Sequence, residues 1–142
     1  MKEPKFRFVP KLVIEELVSK YNFEYSDWMQ DWPYEIANSK EINHYFKYYE
    51  DEINEDKKFG LMQMLIQALN DIEDDNDFNR KWILLNEKII KDFKIHEYTI
   101  YYWSCFGLNL IDCWKITPNM RELWDQVKNQ NIKQINNNTT IK

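Results

Sequence analysis

The chain carries four side chains of the kind that ligate metals or pair as nucleophile and base: Cys105, Cys113, His44 and His96. Zinc sites draw their ligands from short paired spacings, such as two residues between cysteines. Here residues 106 to 112 separate the cysteines, and neither histidine completes a pair, so no metal and no cofactor is expected. A cysteine nucleophile needs its thiolate, which a helix N-terminus or a nearby cation favours. In WSCFG, Cys105 lies between Trp103 and Phe106, which desolvate it, and Asp112 beside Cys113 opposes a second negative charge. The expectation is that both cysteines pack as small hydrophobes. No catalytic residue is assigned. The enzymatic alternative is an aromatic pocket built around a single thiol, Cys105 or Cys113.

Carboxylates are the more abundant chemistry. The run DIEDDND, residues 71–77, has the oxygen density of a calcium loop, but an EF-hand wants Gly at its sixth position and Glu at its twelfth. Counted from Asp71 these are Asn76 and Trp82, and from Asp75 they are Arg80 and Asn86. Both registers fail, which leaves a helix end and a cap. Glu15, Glu16 and Glu87 fall on predicted helices, with nothing to place two carboxyls across a cleft.

The stretch YYEDEINED, residues 48–56, carries a different suggestion. Tyr48 runs into Glu50, Asp51, Glu52, Glu55 and Asp56, and a second cluster follows at Asp71, Glu73, Asp74, Asp75 and Asp77. Ten of the 24 acids thus flank one predicted helix, whose ends lie about 27 Å apart at helical rise. Tyr48 falls off the predicted buried stripe, and it and Tyr34 are the expected exposed rings. Exposed tyrosine among carboxylates suits recognition of a basic protein: the ring supplies contact area and the acids steer the partner. The competing reading is a charged helix end that only keeps the surface solvated. Glu73, Asp74 and Asp75 near a helix C-terminus oppose the helix dipole, which favours a selected role. The tyrosine-and-acid surface resembles the toxin-facing strategy of bacterial immunity proteins that block basic nuclease toxins. The resemblance spans residues 48–56, and it implies a small inhibitor or adaptor with a basic protein partner.

The elements that position these groups follow from apolar spacing. Leu12, Val13, Leu17, Val18 and Tyr21 predict a helix from Pro10 to about residue 22, Pro10 being suited to a helix start. Asp31 and Pro33 open a short helical turn, and Asn38 or Ser39 caps a helix over about 40–53 with Ile42, Tyr45, Phe46, Tyr49 and Ile53 inward. Phe59, Met62, Leu65, Ile66, Leu69 and Ile72 line a third helix, about 56–73. Phe78, Trp82, Leu85, Ile89 and Phe93 line a fourth, about 77–94, capped by Asn76 or Asp77. Residues 96–116 are rich in Thr, Ile, Tyr and Trp, which favours strand, and Gly107 with Asn109 offers a short β-hairpin at about 97–116. Polar and apolar residues do not alternate there, so a buried helix over about 96–106 followed by a loop is preferred. Thr117-Pro118 starts the last helix, with Met120, Leu123, Trp124 and Val127 inward. The reading is mainly α: a single domain over 1–128, a bundle of about five to six helices, then a polar, Asn-rich tail over 129–142. Trp28, Trp32 and Trp114 lie outside the clear stripes and offer an oligomer seam.

Composition narrows the class. A chain of 142 residues buries roughly two-thirds of its unfolded surface on folding. Its 6 Trp, 9 Tyr and 8 Phe exclude a disordered acidic chain. Only 2 Gly cannot build a phosphate loop or dinucleotide fingerprint, which need several at fixed spacing. A net charge of −5, with no basic patch, disfavours nucleic acid. No apolar run reaches the roughly 18 residues a membrane span requires. The first 18 residues have acids in the apolar run and no cleavage signal, so no signal peptide is expected, and the two cysteines are read as reduced thiols in a cytoplasm.

Overall fold

A computed structural model of the protein describes residues 2–140, with side chains described through residue 129. An extended arm over 2–10 leads into α1 (Lys11–Tyr21), α2 (Trp32–Ile36), α3 (Ile42–Asp51), α4 (Glu55–Asn70), α5 (Asp75–Lys91), α6 (Phe93–Ser104) and α7 (Thr117–Thr140). Short 3-10 turns at Ser39–Glu41 and Leu110–Asp112 complete the described elements. These are seven helices, where the sequence predicts five to six; the five-residue α2 accounts for the difference.

The bundle is organised around α4. Ten of its sixteen residues are buried, without a break from Phe59 to Ile66, and α1, α2, α3, α5 and α6 all pack on it. A helix apolar on nearly every side belongs at the centre of a bundle rather than on its surface. Gly60 lets α1 come close, since a Cβ there would lie 2.8 Å from Leu17 Cδ1. Leu65 has no exposed surface, and cutting it back to alanine would cost about 2–5 kcal/mol through lost transfer energy and the void left behind.

No β-hairpin forms at 97–116: among the described residues there is no strand. The reason lies in period. His96, Thr99, Ile100, Trp103 and Ser104 all turn inward, which is helical spacing, and burial between α4 and α7 overrides the strand preference of the residue types. α6 ends at Cys105, which adopts the left-handed conformation (φ 54°), and Gly107 (φ 93°) continues the reversal. Thr117 then joins helix end to helix start: its hydroxyl donates to the Trp103 carbonyl and accepts the Trp114 N–H. The polar segment after residue 128 continues α7 to Thr140, and the last two residues of the predicted tail lie outside the described residues.

Two predicted stripe members point outward. Leu12 is 65% exposed and Ile53, just past the end of α3, is 92% exposed. Trp32 goes the other way. It is buried, and its indole N–H donates to the Glu24 carbonyl at 2.7 Å, so it cannot join an oligomer seam.

Candidate functional site

The first acidic cluster sits where α3 turns into α4, and it is not a uniform outward patch. Glu52 is only 2% exposed. Its carboxylate accepts the Tyr21 hydroxyl (2.7 Å), Lys20 Nζ (3.0 Å) and the backbone N–H groups of Ile53 (3.1 Å) and Asn54 (3.2 Å). Burial works against the charge, yet the bonds from Tyr21, Lys20 and Asn54 hold this carboxyl below its usual range. Burial, then the bond to Glu52, pushes the Tyr21 phenol up. Glu52 therefore latches the corner and leaves the set of partner-facing acids. Tyr48 is half-buried, stacked on Tyr21 at 4.5 Å with its edge toward Phe23. Tyr34 is likewise not a bare ring: its hydroxyl donates to Gln63 Oε1 at 2.9 Å, and it meets Trp103 edge-on. Glu50 and Asp56 are exposed but paired, with Lys88 and Arg7 respectively at 2.8 Å each. Asp51 and Glu55 stand at the surface.

Behind this corner runs a buried polar chain. Tyr49 donates its hydroxyl to Asp92 Oδ2 (2.7 Å) and so accepts from His96 Nε2 (2.7 Å), while Lys58 Nζ reaches the same Asp92 oxygen (3.2 Å). One hydroxyl proton forces this direction, which makes His96 the Nε2-protonated tautomer. Its Nδ1 is buried with no partner among the described residues. Burial, against the pull of Asp92, lowers the imidazole to about 3, so it is neutral near pH 7. The chain joins α3, α4 and α6 and is a structural clamp.

The second acidic cluster has a local explanation. Asp74 is the N-cap of α5 and accepts the Asp77 N–H at 2.8 Å, a position the sequence assigns to Asn76 or Asp77. Asp75 and Asp77 lie in the first turn, where the dipole welcomes negative charge. The apparent conflict with the end of α4 is thus resolved by the start of α5. Asp77 also accepts from Lys81 and Arg80, and Asp75 pairs with Lys115. Asp71 accepts from Gln67, and Glu73 is exposed. The clusters occupy opposite ends of the sixteen-residue α4, about 24 Å apart at helical rise, and do not form one patch.

The cysteines do not join the core. Both are half-exposed on the α6–α7 connection, and neither is bonded to a histidine: His44 contacts Glu41 at the surface and His96 contacts Tyr49. Among the described residues no group of three His, Cys, Asp or Glu is placed to hold a metal, and no helix is long and apolar enough to cross a membrane.

The unexpected surface is apolar. Phe6 and Phe8 of the arm stack at 5.7 Å, and Phe6 meets Tyr98 edge-on at 5.2 Å. Tyr98 adjoins Tyr102 at 6.4 Å, and Tyr102 stacks on Trp114 at 5.4 Å. Trp114 directly follows the loop that displays Leu108, Leu110 and Ile111, the last 90% exposed. Charges of both signs fringe the strip, with Lys5 and Lys94 beside Asp56 and Glu97 along the Phe6, Phe8 and Tyr98 edge. Burial and then Glu3 push the Tyr98 phenol up, and burial and then Asp31 do the same to Tyr102. Asp56 reaches the arm through Arg7, which lies over the Phe59 ring. Beneath the strip is a pocket of about 280 Å³ whose lining includes Phe8, Trp32, Tyr34, Gln63 and Thr99. The sequence held the signal for this face: Phe6 and Phe8 alternate along an extended arm, and Tyr98 and Tyr102 are one helical turn apart. It was legible only once 93–104 was known to be helix. Set against protein-family models, curated proteins and solved structures, the chain matches none of them.

Proposed function

We propose that this protein is a protein-binding module, an immunity-type inhibitor or adaptor, that docks a basic protein partner on the aromatic strip. The observation that carries the reading is the run of exposed apolar side chains from Phe6 and Phe8 through Tyr102 to Trp114, Leu108, Leu110 and Ile111. Scattered surface hydrophobes need no explanation, but a contiguous apolar face with a charged rim is the anatomy of an interface. The rim is of mixed charge, with Glu3, Asp31 and Asp112 alongside Lys5 and Lys94, and it is the net charge of −5 that favours approach by a basic surface. Glu50, Asp51, Glu55 and Asp56 steer from the neighbouring corner without forming the contact core.

Affinity capture from the native host, with the wild-type chain and an Ile111→Ser variant, tests this. The expected result is a basic protein held by the wild type, released as salt rises, and lost from the variant. Identical captures by both chains would overturn the reading. So would a stable homodimer by light scattering that Ile111→Ser converts to monomer, because the strip would then serve self-association.

A further inference from the structure

The partner-binding reading makes no use of the two thiols, and the fold brings them together. Cys105 closes α6 in the left-handed conformation, which turns the chain back on itself. The Leu110–Asp112 turn then returns Cys113 to the helix end. There its Sγ lies 3.7 Å from the Cys105 carbonyl and 3.3 Å from the Asn109 carbonyl. Arg121 of α7 fixes this arrangement. Its Nε donates to the Ser104 carbonyl (2.7 Å), and its Nη2 donates to those of Cys105 (2.8 Å) and Leu108 (2.9 Å) and lies 3.8 Å from Cys113 Sγ. A single guanidinium thus ties both ends and the middle of the loop, so the chain entropy of closing it is already lost in the folded state. The Cys113 thiol is near enough to push the Cys105 thiol up, and both side chains are reachable from solvent.

We propose that Cys105 and Cys113 form a dithiol site that low-molecular-weight disulfides oxidise to an intrachain disulfide. One thiolate attacks a sulfur of the small disulfide RSSR, forming a mixed disulfide and releasing RS⁻. The second thiolate attacks the protein sulfur of that mixed disulfide, forming the Cys105–Cys113 bond and expelling a second RS⁻. The two protein thiols lose two protons and two electrons, and RSSR becomes two RSH. The bond covalently closes the loop that carries Leu108, Leu110 and Ile111. It does so whether or not that loop binds a partner.

The test places the reduced full chain in glutathione buffers of rising oxidised fraction. After acid quenching and alkylation of free thiols, intact mass and peptide maps are recorded. The expected product is monomeric, two hydrogens lighter, unalkylated, with a peptide linking residues 105 and 113. It should exceed the glutathione adduct by about tenfold or more, because the second thiol competes at high effective concentration, and it should be unchanged on diluting the protein. Accumulation of the glutathione adduct, disulfide-linked dimers, or two alkylatable thiols in the most oxidised buffer would each overturn the proposal.

Discussion

Ile53 and Ile111 are almost equally bare, at 92% and 90% exposure, yet they stand in opposite surroundings. Ile53 is a lone apolar side chain at the α3–α4 corner, flanked by buried Glu52 and exposed Asn54 and Glu55. Ile111 stands with exposed Leu108 and Leu110 in the loop that leads to Trp114, the last ring of the aromatic strip. The tyrosines of the two regions divide the same way. At the corner, the hydroxyls of Tyr21 and Tyr49 are bonded to Glu52 and Asp92, so each ring is held inward by its polar tip. On α6, Tyr98 and Tyr102 stack only with other rings of the strip and its neighbours. A tyrosine whose hydroxyl is bonded to a carboxylate thus marks the interior latch, and tyrosines of the strip, which have no such bond among the described residues, mark the open face.

This contrast can be broken first at the latch. Glu52→Ala would leave the Tyr21 hydroxyl and two backbone N–H groups without their acceptor, a loss of about 2–3 kcal/mol, read as a lower urea midpoint at unchanged slope. Partner capture by the folded fraction would be unaltered. A variant as stable as wild type would remove Glu52 from its structural role.

Acid should act on the clamp behind the corner and spare the strip. His96 titrates near 6.5 unfolded and is lowered to about 3 in the fold. Its contribution is fully present above the unfolded value and is lost as pH falls toward the folded one. About 2 kcal/mol should be gone by about pH 5, before Asp92 and Glu52, themselves held low, begin to protonate. Denaturant melts at stepped pH would trace this, and a flat profile between pH 7 and 5 would contradict the buried neutral imidazole.

A smaller effect separates the two isoleucines. Ile111→Ser should weaken partner binding about tenfold or more, as for a contact-core residue, and alter stability by no more than about 0.5 kcal/mol. Ile53→Ser should change neither. Weakest of all, Lys88→Ala releases exposed Glu50 and should leave a denaturant melt unmoved, since exposed ion pairs contribute little. Titration by competition binding and urea melts measure all three.

Much of the fold was legible from spacing alone. The inward faces of α4, α5 and α7 follow the apolar period, and Thr117-Pro118 starts α7 as read. The site was less legible, for a definable reason. Acid runs have the same appearance whether they cap a helix, bond a half-buried tyrosine or face solvent. Asp74, Glu52 and Asp51 are one of each. Which applies depends on donors distant in sequence, such as Tyr21 for Glu52. The aromatic strip, in turn, joins residues 6, 98 and 114, whose adjacency exists only after α6 has packed beside the arm.

The central claim is that the apolar strip, and not the acidic corner, meets the partner. Photo-crosslinking from single benzoylphenylalanine substitutions at positions 53 and 111, in otherwise wild-type chain in the native host, tests it most directly. The account predicts one basic protein crosslinked from position 111 and none from position 53. Crosslinks to that protein from 53 alone, or equally from both, would contradict it.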